Sequence, residues 1–321
     1  MHYLLTGATG FIGSAIAEFI VKEGHQLTIL TRRPYPNLHS KNINQIICDL
    51  EDYDSLSLEK FVSIDCVIHA AARAHIMSET SDNTLIEYRK SNRDATLNLA
   101  KFSLQNGIKR FIYLSSVKVN GEQTMPGYVF KSDDSFITND PYGLSKYEAE
   151  IGILKLAAES RMDVIIIRPP LVYGPGVKAN FASMVNWVRK GVPLPFGMVD
   201  NKRSLIAIDN LVDFIILCSD RAKSPKAANQ IFLISDGEHI STTTLLRKVA
   251  KAYGARSLLL PIPVSLMRLV AKLLGKSDMA NRLFGNLQVD STKASELLGW
   301  KPVITMDEQL RKMAEYDKAR D

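Results

Sequence analysis

The chain is short of the residues that mark several protein classes. It has 3 cysteines, Cys48, Cys66 and Cys218, with no C-x-x-C pair among them. An odd, widely spaced set excludes a disulfide-stapled scaffold and offers no zinc spacing. The thiols are expected to be reduced and buried, as in a cytoplasmic protein. No apolar run reaches the roughly 18 residues of a membrane-spanning helix. The opening M-H-Y-L-L-T-G has no basic region followed by a long apolar stretch, so no secretory signal is expected. There is no Lys/Arg block and no aromatic-basic signature, which argues against nucleic acid as a partner. No metal-ligand spacing, repeat or low-complexity segment stands out. Acidic residues are the scarcer charge, 34 against 40 Lys and Arg, a net +6. Such an excess gives either a mildly basic surface or a basic cleft for a phosphate-bearing substrate.

What is present is a 321-residue chain, 46% apolar, long enough for a large core. Its first half alternates strand and helix patterns. Strands are expected at 2–6, 27–31, 43–48, 66–70, 110–115 and 164–168. Helices are expected at 11–23 (closed by Gly24), 84–106 (closed by Gly107) and 142–160. This alternation predicts an α/β fold, a Rossmann-type doubly wound parallel sheet covered on both faces. After Pro169-Pro170 prolines and glycines become frequent. Residues 1–170 therefore read as a dinucleotide-binding domain, and 171–321 mostly as a smaller α/β substrate-binding lobe. Segments near 205–235 are expected to return to the main sheet.

Gly7-Ala8-Thr9-Gly10-Phe11-Ile12-Gly13 follows a strand and opens a helix. Gly7 permits the tight turn, Gly10 lets a pyrophosphate approach the backbone, and Gly13 lets helix and strand pack closely. The helix N-terminus then faces the phosphates. Residues Gly7, Thr9, Gly10, Phe11, Ile12 and Gly13 are thus the expected cofactor turn. At the end of the second strand an NAD site usually carries Asp or Glu, whereas this chain has Thr31-Arg32-Arg33. Arg32 and Arg33 suit a 2′-phosphate, so NADP(H) is favoured over NAD(H); otherwise they are solvated loop residues. Asp49 and Leu50 are expected at the adenine edge. Ala70, Ala71 and Ala72 let the cofactor pass close to the backbone.

Tyr142 and Lys146 are spaced i, i+4 on an expected helix and share a face. A phenol is a poor base at neutral pH, and a neighbouring ammonium is expected to lower its pKa. Ser116 follows a buried strand at the carboxyl edge of the sheet, where it can hold the reacting oxygen. Residues 264–276 carry Leu266, Leu269, Val270, Leu273 and Leu274 with Arg268, Lys272 and Lys276 opposite. The first reading is a lid helix packed on the substrate lobe; a basic amphipathic helix can also lie on a membrane.

These motifs continue in order from end to end: C-V-I-H-A-A-A at 66–72, L-S-S-V-K-V-N-G at 114–121, P-Y-G-L-S-K at 141–146, R-P-P-L-V-Y-G-P-G at 168–176, R-S-L-I-A-I-D-N-L at 203–211 and L-G-W-K-P at 298–302. The whole chain resembles the extended short-chain dehydrogenase/reductases, in particular nucleotide-sugar epimerases, reductases and dehydratases. The resemblance implies that Ser116, Tyr142 and Lys146 are catalytic, and that Asn92 and Pro169 join the cofactor contacts. It implies substrate contacts from Arg73, His75 and Val117, and contacts to a nucleotide-sugar diphosphate from Asn180 and Arg203. Asn180 has a second reading as a cap for the helix that follows, and His75 as a structural residue. A homodimer through a four-helix bundle of 84–106 and 142–160 is implied as well.

Departures from the family pattern narrow the reaction. Dehydratases follow the position of Ser116 with an Asp-Glu pair, and this chain has Val117-Lys118, so elimination of water is not expected. Asn120-Gly121 stands where many members have Tyr-Gly. Leu171 stands where well-known UDP-galactose 4-epimerases have Asn. The stretches H-A-A-A-R-A-H-I-M and T-R-R-P resemble a branch from bacterial surface-polysaccharide pathways. The expected function is an NAD(P)(H)-dependent oxidoreductase acting at C4 of a UDP-linked N-acetylhexosamine or its 6-deoxy form, by reduction of a 4-keto group in surface-polysaccharide sugar biosynthesis. The alternative is a 4-epimerase with tightly bound NAD. A third reading, a non-catalytic NADP-binding protein, conflicts with the intact Ser, Tyr and Lys.

Overall fold

The computed structural model describes residues 1–34, 42–52, 63–73, 84–134 and 138–320. Among the described residues, seven strands form one parallel sheet in the order β3-β2-β1-β4-β5-β6-β9. They are β1 (His2–Thr6), β2 (Gln26–Thr31), β3 (Ile43–Ile47), β4 (Cys66–His69), β5 (Arg110–Leu114), β6 (Asp163–Arg168) and β9 (Gln230–Leu233). Successive side chains alternate between its faces, and both are buried. Leu5, Ile29, Ile68 and Ile112 pack under α1 (Phe11–Lys22) and α6 (Ile208–Ser219). Leu4, Val67, Phe111 and Ile166 pack under α3 (Ala95–Gln105) and α4 (Pro141–Ala158). The chain runs outward from β1 through β2 to β3, then crosses to β4 on the other side of β1. That reversal opens a crevice at the carboxyl ends of β1 and β4.

A second sheet, β10-β8-β7, comprises β7 (Leu171–Tyr173), β8 (Arg203–Ala207) and β10 (His239–Ile240). Its core gathers Tyr173, Leu205 and Ile240 with residues of α5 (Ala179–Arg189), α7 (Thr242–Ala252) and α11 (Met306–Lys318). Before α11 the chain comes back to the main sheet. α10 (Thr292–Leu298) ends at Gly299 in the left-handed conformation, φ 66°. This turns Trp300 into the first core, edge-on to Phe214, with its indole N–H donating to Asp213 at 2.8 Å.

Two elements depart from expectation. The helix over 84–106 is not continuous: α2 (Thr84–Tyr88) and α3 are joined by a π-helical turn, Arg89–Asp94. Such a turn replaces i→i−4 backbone bonds with i→i−5 ones and frequently lies at a functional site. In α8 (Val264–Leu273) the apolar face does not pack on the lobe as a lid would; its leucines are exposed and no residue of the helix is buried.

One buried ion pair crosses three elements. Arg168, at the end of β6, donates through Nε to Glu150 Oε1 at 3.0 Å and through Nη2 to Oε2 at 2.5 Å. Its Nη1 donates to Asn120 Oδ1 at 3.0 Å. Glu150→Gln would leave the guanidinium buried beside a neutral amide, and the expected loss of stability is about 3–5 kcal/mol. Chemical denaturation of the variant against the parent measures it, and a loss below about 1 kcal/mol would contradict the assignment.

Candidate active site

The glycine turn lies at the crevice between β1 and β4. Gly7 has φ +74°, and a Cβ there would meet the Ala70 carbonyl and Ala71 N at 2.7 Å. A Cβ at Gly13 would collide with the Gly7 carbonyl. Gly10 is different: it is exposed, and its Cβ would meet only the Gly7 carbonyl, at 3.2 Å. It caps α1 without a side-chain hydrogen bond and no acidic residue occupies the first turn. The turn therefore fits a pyrophosphate laid against backbone N–H groups. Thr9 is exposed beside Gly10, while Phe11 and Ile12 are half-buried.

Arg32, Asp49, Ala70 and Pro169 follow the carboxyl ends of β2, β3, β4 and β6. Arg32 and Arg33 are exposed after β2. The Arg33 carbonyl accepts from Thr31 Oγ1 at 2.8 Å, which shapes that corner. Asp49 is exposed after β3 and accepts the Glu51 N–H at 3.0 Å, and Leu50 is buried. Ala70 and Ala71 are half-buried and Ala72 exposed after β4. Asn92, in the π-helical turn, is buried; its Oδ1 accepts the Arg73 N–H at 2.8 Å and its Nδ2 donates to Ser145 Oγ at 3.1 Å. Arg73 pairs with Glu87 at 3.6 Å. Pro169 is buried after β6 and its carbonyl accepts the Val117 N–H at 3.0 Å, while Val117 itself is buried. His75 lies outside the described residues.

Ser116, Tyr142 and Lys146 are held by α4 and by the 3-10 turn Val117–Val119. Ser116 caps that turn, its Oγ accepting from Lys118 N at 3.2 Å. Asp140 caps α4, accepting from Gly143 N at 2.9 Å, and Pro141 supplies a first helical position that needs no partner. Gly143 lets the two turns touch: a Cβ there would meet the Lys118 carbonyl at 2.5 Å. Lys118 Nζ reaches Glu122 at 2.7 Å and Asp140 at 3.5 Å, joining the same two turns. Tyr142 packs edge-on to Tyr88, ring centroids 5.8 Å apart.

The electrostatics differ from the sequence expectation. Lys146 was expected to lower the Tyr142 phenol. Instead burial pushes Tyr142 up to about 12, against a lowering hydrogen bond from Ser116. Burial also brings Lys146 down to about 7, partly offset by Glu150. The Lys146 ammonium donates to the Leu114 carbonyl at 3.0 Å and lies 4.6 Å from the centre of the Tyr113 ring. Beneath it, His69 bridges Thr6 Oγ1 at 2.7 Å and Thr96 Oγ1 at 2.9 Å, stacked on Tyr113. Burial holds His69 down at about 3, so it stays neutral.

Asn180 and Arg203 belong to the second lobe. Asn180 is exposed at the second position of α5, whose cap is Lys178, so Asn180 is not the cap. Arg203 is half-buried in β8 and donates through Nη1 to the Arg282 carbonyl, at 2.6 Å, in α9 (Ser277–Phe284). Arg282 in turn reaches Glu122 at 3.4 Å. Sequence reasoning missed His69, Glu150, Arg168 and Arg282. Glu150 had a visible signal, since 142, 146 and 150 share one helical face. His69 had a weaker one, a polar residue inside an apolar strand. Arg282 had none.

Residues 3–234 match the NAD dependent epimerase/dehydratase family. Over 313 residues the chain is 44% identical to a Vibrio cholerae protein named UDP-glucose 4-epimerase, covering 97% of this chain and 94% of that one. It is 29% identical over 262 residues to a 2-alkyl-3-oxoalkanoate reductase of Stenotrophomonas maltophilia (strain K279a), covering 79% and 76%. Among solved structures, a UDP-glucose 4-epimerase with UDP-glucose from Thermotoga maritima superposes with a TM-score of 0.79 at 22% identity, over 100% of this chain and 99% of that one. A UDP-glucuronic acid 4-epimerase from Bacillus cereus in complex with NAD gives 0.78 at 20%, over 100% and 99%. At such identities the structures show a shared fold. With the family match spanning most of the sequence and a close relative spanning nearly all of it, the chain belongs to the NAD dependent epimerase/dehydratase family of enzymes.

Proposed function

We propose that the protein is a UDP-hexose 4-epimerase working with a retained NAD. One observation carries this reading: 44% identity along 97% of the chain to a protein named UDP-glucose 4-epimerase. The sequence motifs alone rank net reduction of a 4-keto sugar first and epimerisation second, and this relative reverses the order. Leu171, where well-known epimerases have Asn, is exposed at the start of β7 and leaves phosphate binding to other residues. Arg203 and Asn180 are the candidates, from the lobe after residue 170.

In this reading Tyr142 takes the proton of the C4 hydroxyl and later returns it. With its pKa at about 12 the phenol holds its proton at neutral pH until a cation stands close by. Lys146, one helical turn along the same face, supplies that cation when protonated, and Glu150 favours its charged form. Ser116 hydrogen-bonds the reacting oxygen. Gly7, Gly10, Gly13 and the start of α1 would hold the cofactor pyrophosphate, and Arg32 and Asp49 would lie toward its adenosine. The bound dinucleotide supplies a reversible hydride acceptor. A substrate anchored by its diphosphate keeps its hexose free to turn and present both faces of C4. Exposed Ile86 and Ile151, on α2 and α4, support a homodimer through those helices.

A second reading, NADPH-linked reduction, is favoured by the exposed Arg32-Arg33 pair. Purified protein should interconvert UDP-glucose and UDP-galactose, or their N-acetyl forms, with no added cofactor and no net change in reduced nucleotide. It should release NAD on denaturation. Stoichiometric oxidation of NADPH by a UDP-4-keto sugar, without interconversion, would favour the reductase. Tyr142→Phe should lower kcat by about 10²–10⁴-fold while bound nucleotide is unchanged; retention of more than about half the turnover would remove Tyr142 from the chemistry.

A further inference from the structure

α8 is an amphipathic helix with its faces reversed. Leu266, Leu269, Val270 and Leu273 share one side at helical spacing. In a helix of a folded domain that side should face the core. Here those four side chains are 49%, 54%, 47% and 78% exposed. The opposite side, with Val264, Met267 and Ala271 half-buried, faces α9, where Arg268 donates to Asn281 at 2.9 Å. Leu258, Leu260 and Leu274, in the flanking chain, are exposed as well. An exposed apolar helix face of this kind marks an interaction surface.

The charge around the patch states what it meets. Between Glu238 and Asp278 the chain contains no acidic residue, and Arg256, Arg268, Lys272 and Lys276 are exposed within it. An apolar ridge flanked by Lys272 and Lys276 is complementary to a bilayer of anionic phospholipid, whose acyl boundary takes leucine while its phosphates meet the ammonium groups. The helix has 10 residues, so it lies along the interface and does not cross it. We propose that α8 docks the protein on an anionic phospholipid bilayer, with its leucine face at the headgroup–acyl boundary and Lys272 and Lys276 against the phosphates. α9 joins this surface to the site, since its Arg282 carbonyl holds Arg203.

Flotation of the full-length protein with vesicles tests the proposal. It should float with phosphatidylethanolamine–phosphatidylglycerol vesicles and not with phosphatidylcholine alone, and the association should weaken at high salt. The double variant L269E/L273E should lose at least about tenfold in vesicle affinity, and K272Q/K276Q should lose part of it. All four positions are exposed, so circular dichroism should match the parent. Failure of the parent to float with anionic vesicles overturns the proposal. So does equal flotation by L269E/L273E, or binding indifferent to lipid charge. A fall in oligomer mass on L269E/L273E, without vesicle binding by the parent, would assign the face to a second copy.

Discussion

The buried pair of Arg168 and Glu150 sets the geometry on which the site depends. Its guanidinium joins the end of β6, the third turn of α4 and, through Asn120, the chain just beyond Ser116. Burying two charges costs much of what their attraction returns, so such a pair adds little net stability over an apolar substitute. Its contribution here is position. α4 cannot slide or roll without stretching it, and Tyr142 and Lys146 stand on the same face as Glu150. The contact of Gly143 with the Lys118 carbonyl and the Asp140 cap fix the other end of that helix. Ser116 and Tyr142 therefore meet because two turns of backbone are clamped together at both ends of one helical face.

The same burial that fixes the geometry sets the proton chemistry. Lys146 and Tyr142 are both pushed toward their neutral forms, Lys146 to about 7 and Tyr142 to about 12. A phenol so held does not ionise idly, and a lysine near neutrality responds to small changes in the charge around it. His69, kept neutral at about 3, adds no competing cation beneath them. Its bonds to Thr6 and Thr96 instead tie β1, β4 and α3 together at the crevice where the glycine turn sits.

Much of this was legible in the sequence, for identifiable reasons. The alternation of short apolar runs with helical periodicity required a parallel sheet covered on both faces, and the sheet has that form. The Gly7–Gly13 spacing required a strand-turn-helix unit. Tertiary packing was not legible. The expectation that Lys146 lowers the phenol rested on spacing alone, and spacing carries no measure of desolvation. The π-helical turn at Arg89–Asp94 gave no propensity signal, because a single extra residue in a helical ladder leaves the apolar pattern nearly intact. The reversal of α8 was invisible for a different reason: periodicity identifies an apolar face and not the direction it points.

The central claim is that hydride leaves and returns to C4 of one sugar within one turnover, with Tyr142 carrying the proton. The most direct measurement uses UDP-galactose deuterated at C4, with the UDP-glucose product read by mass spectrometry and NMR. The account predicts that deuterium stays at C4 of the product, with none appearing in added nucleotide. Loss of the label to water or to exchangeable NADPH would contradict it.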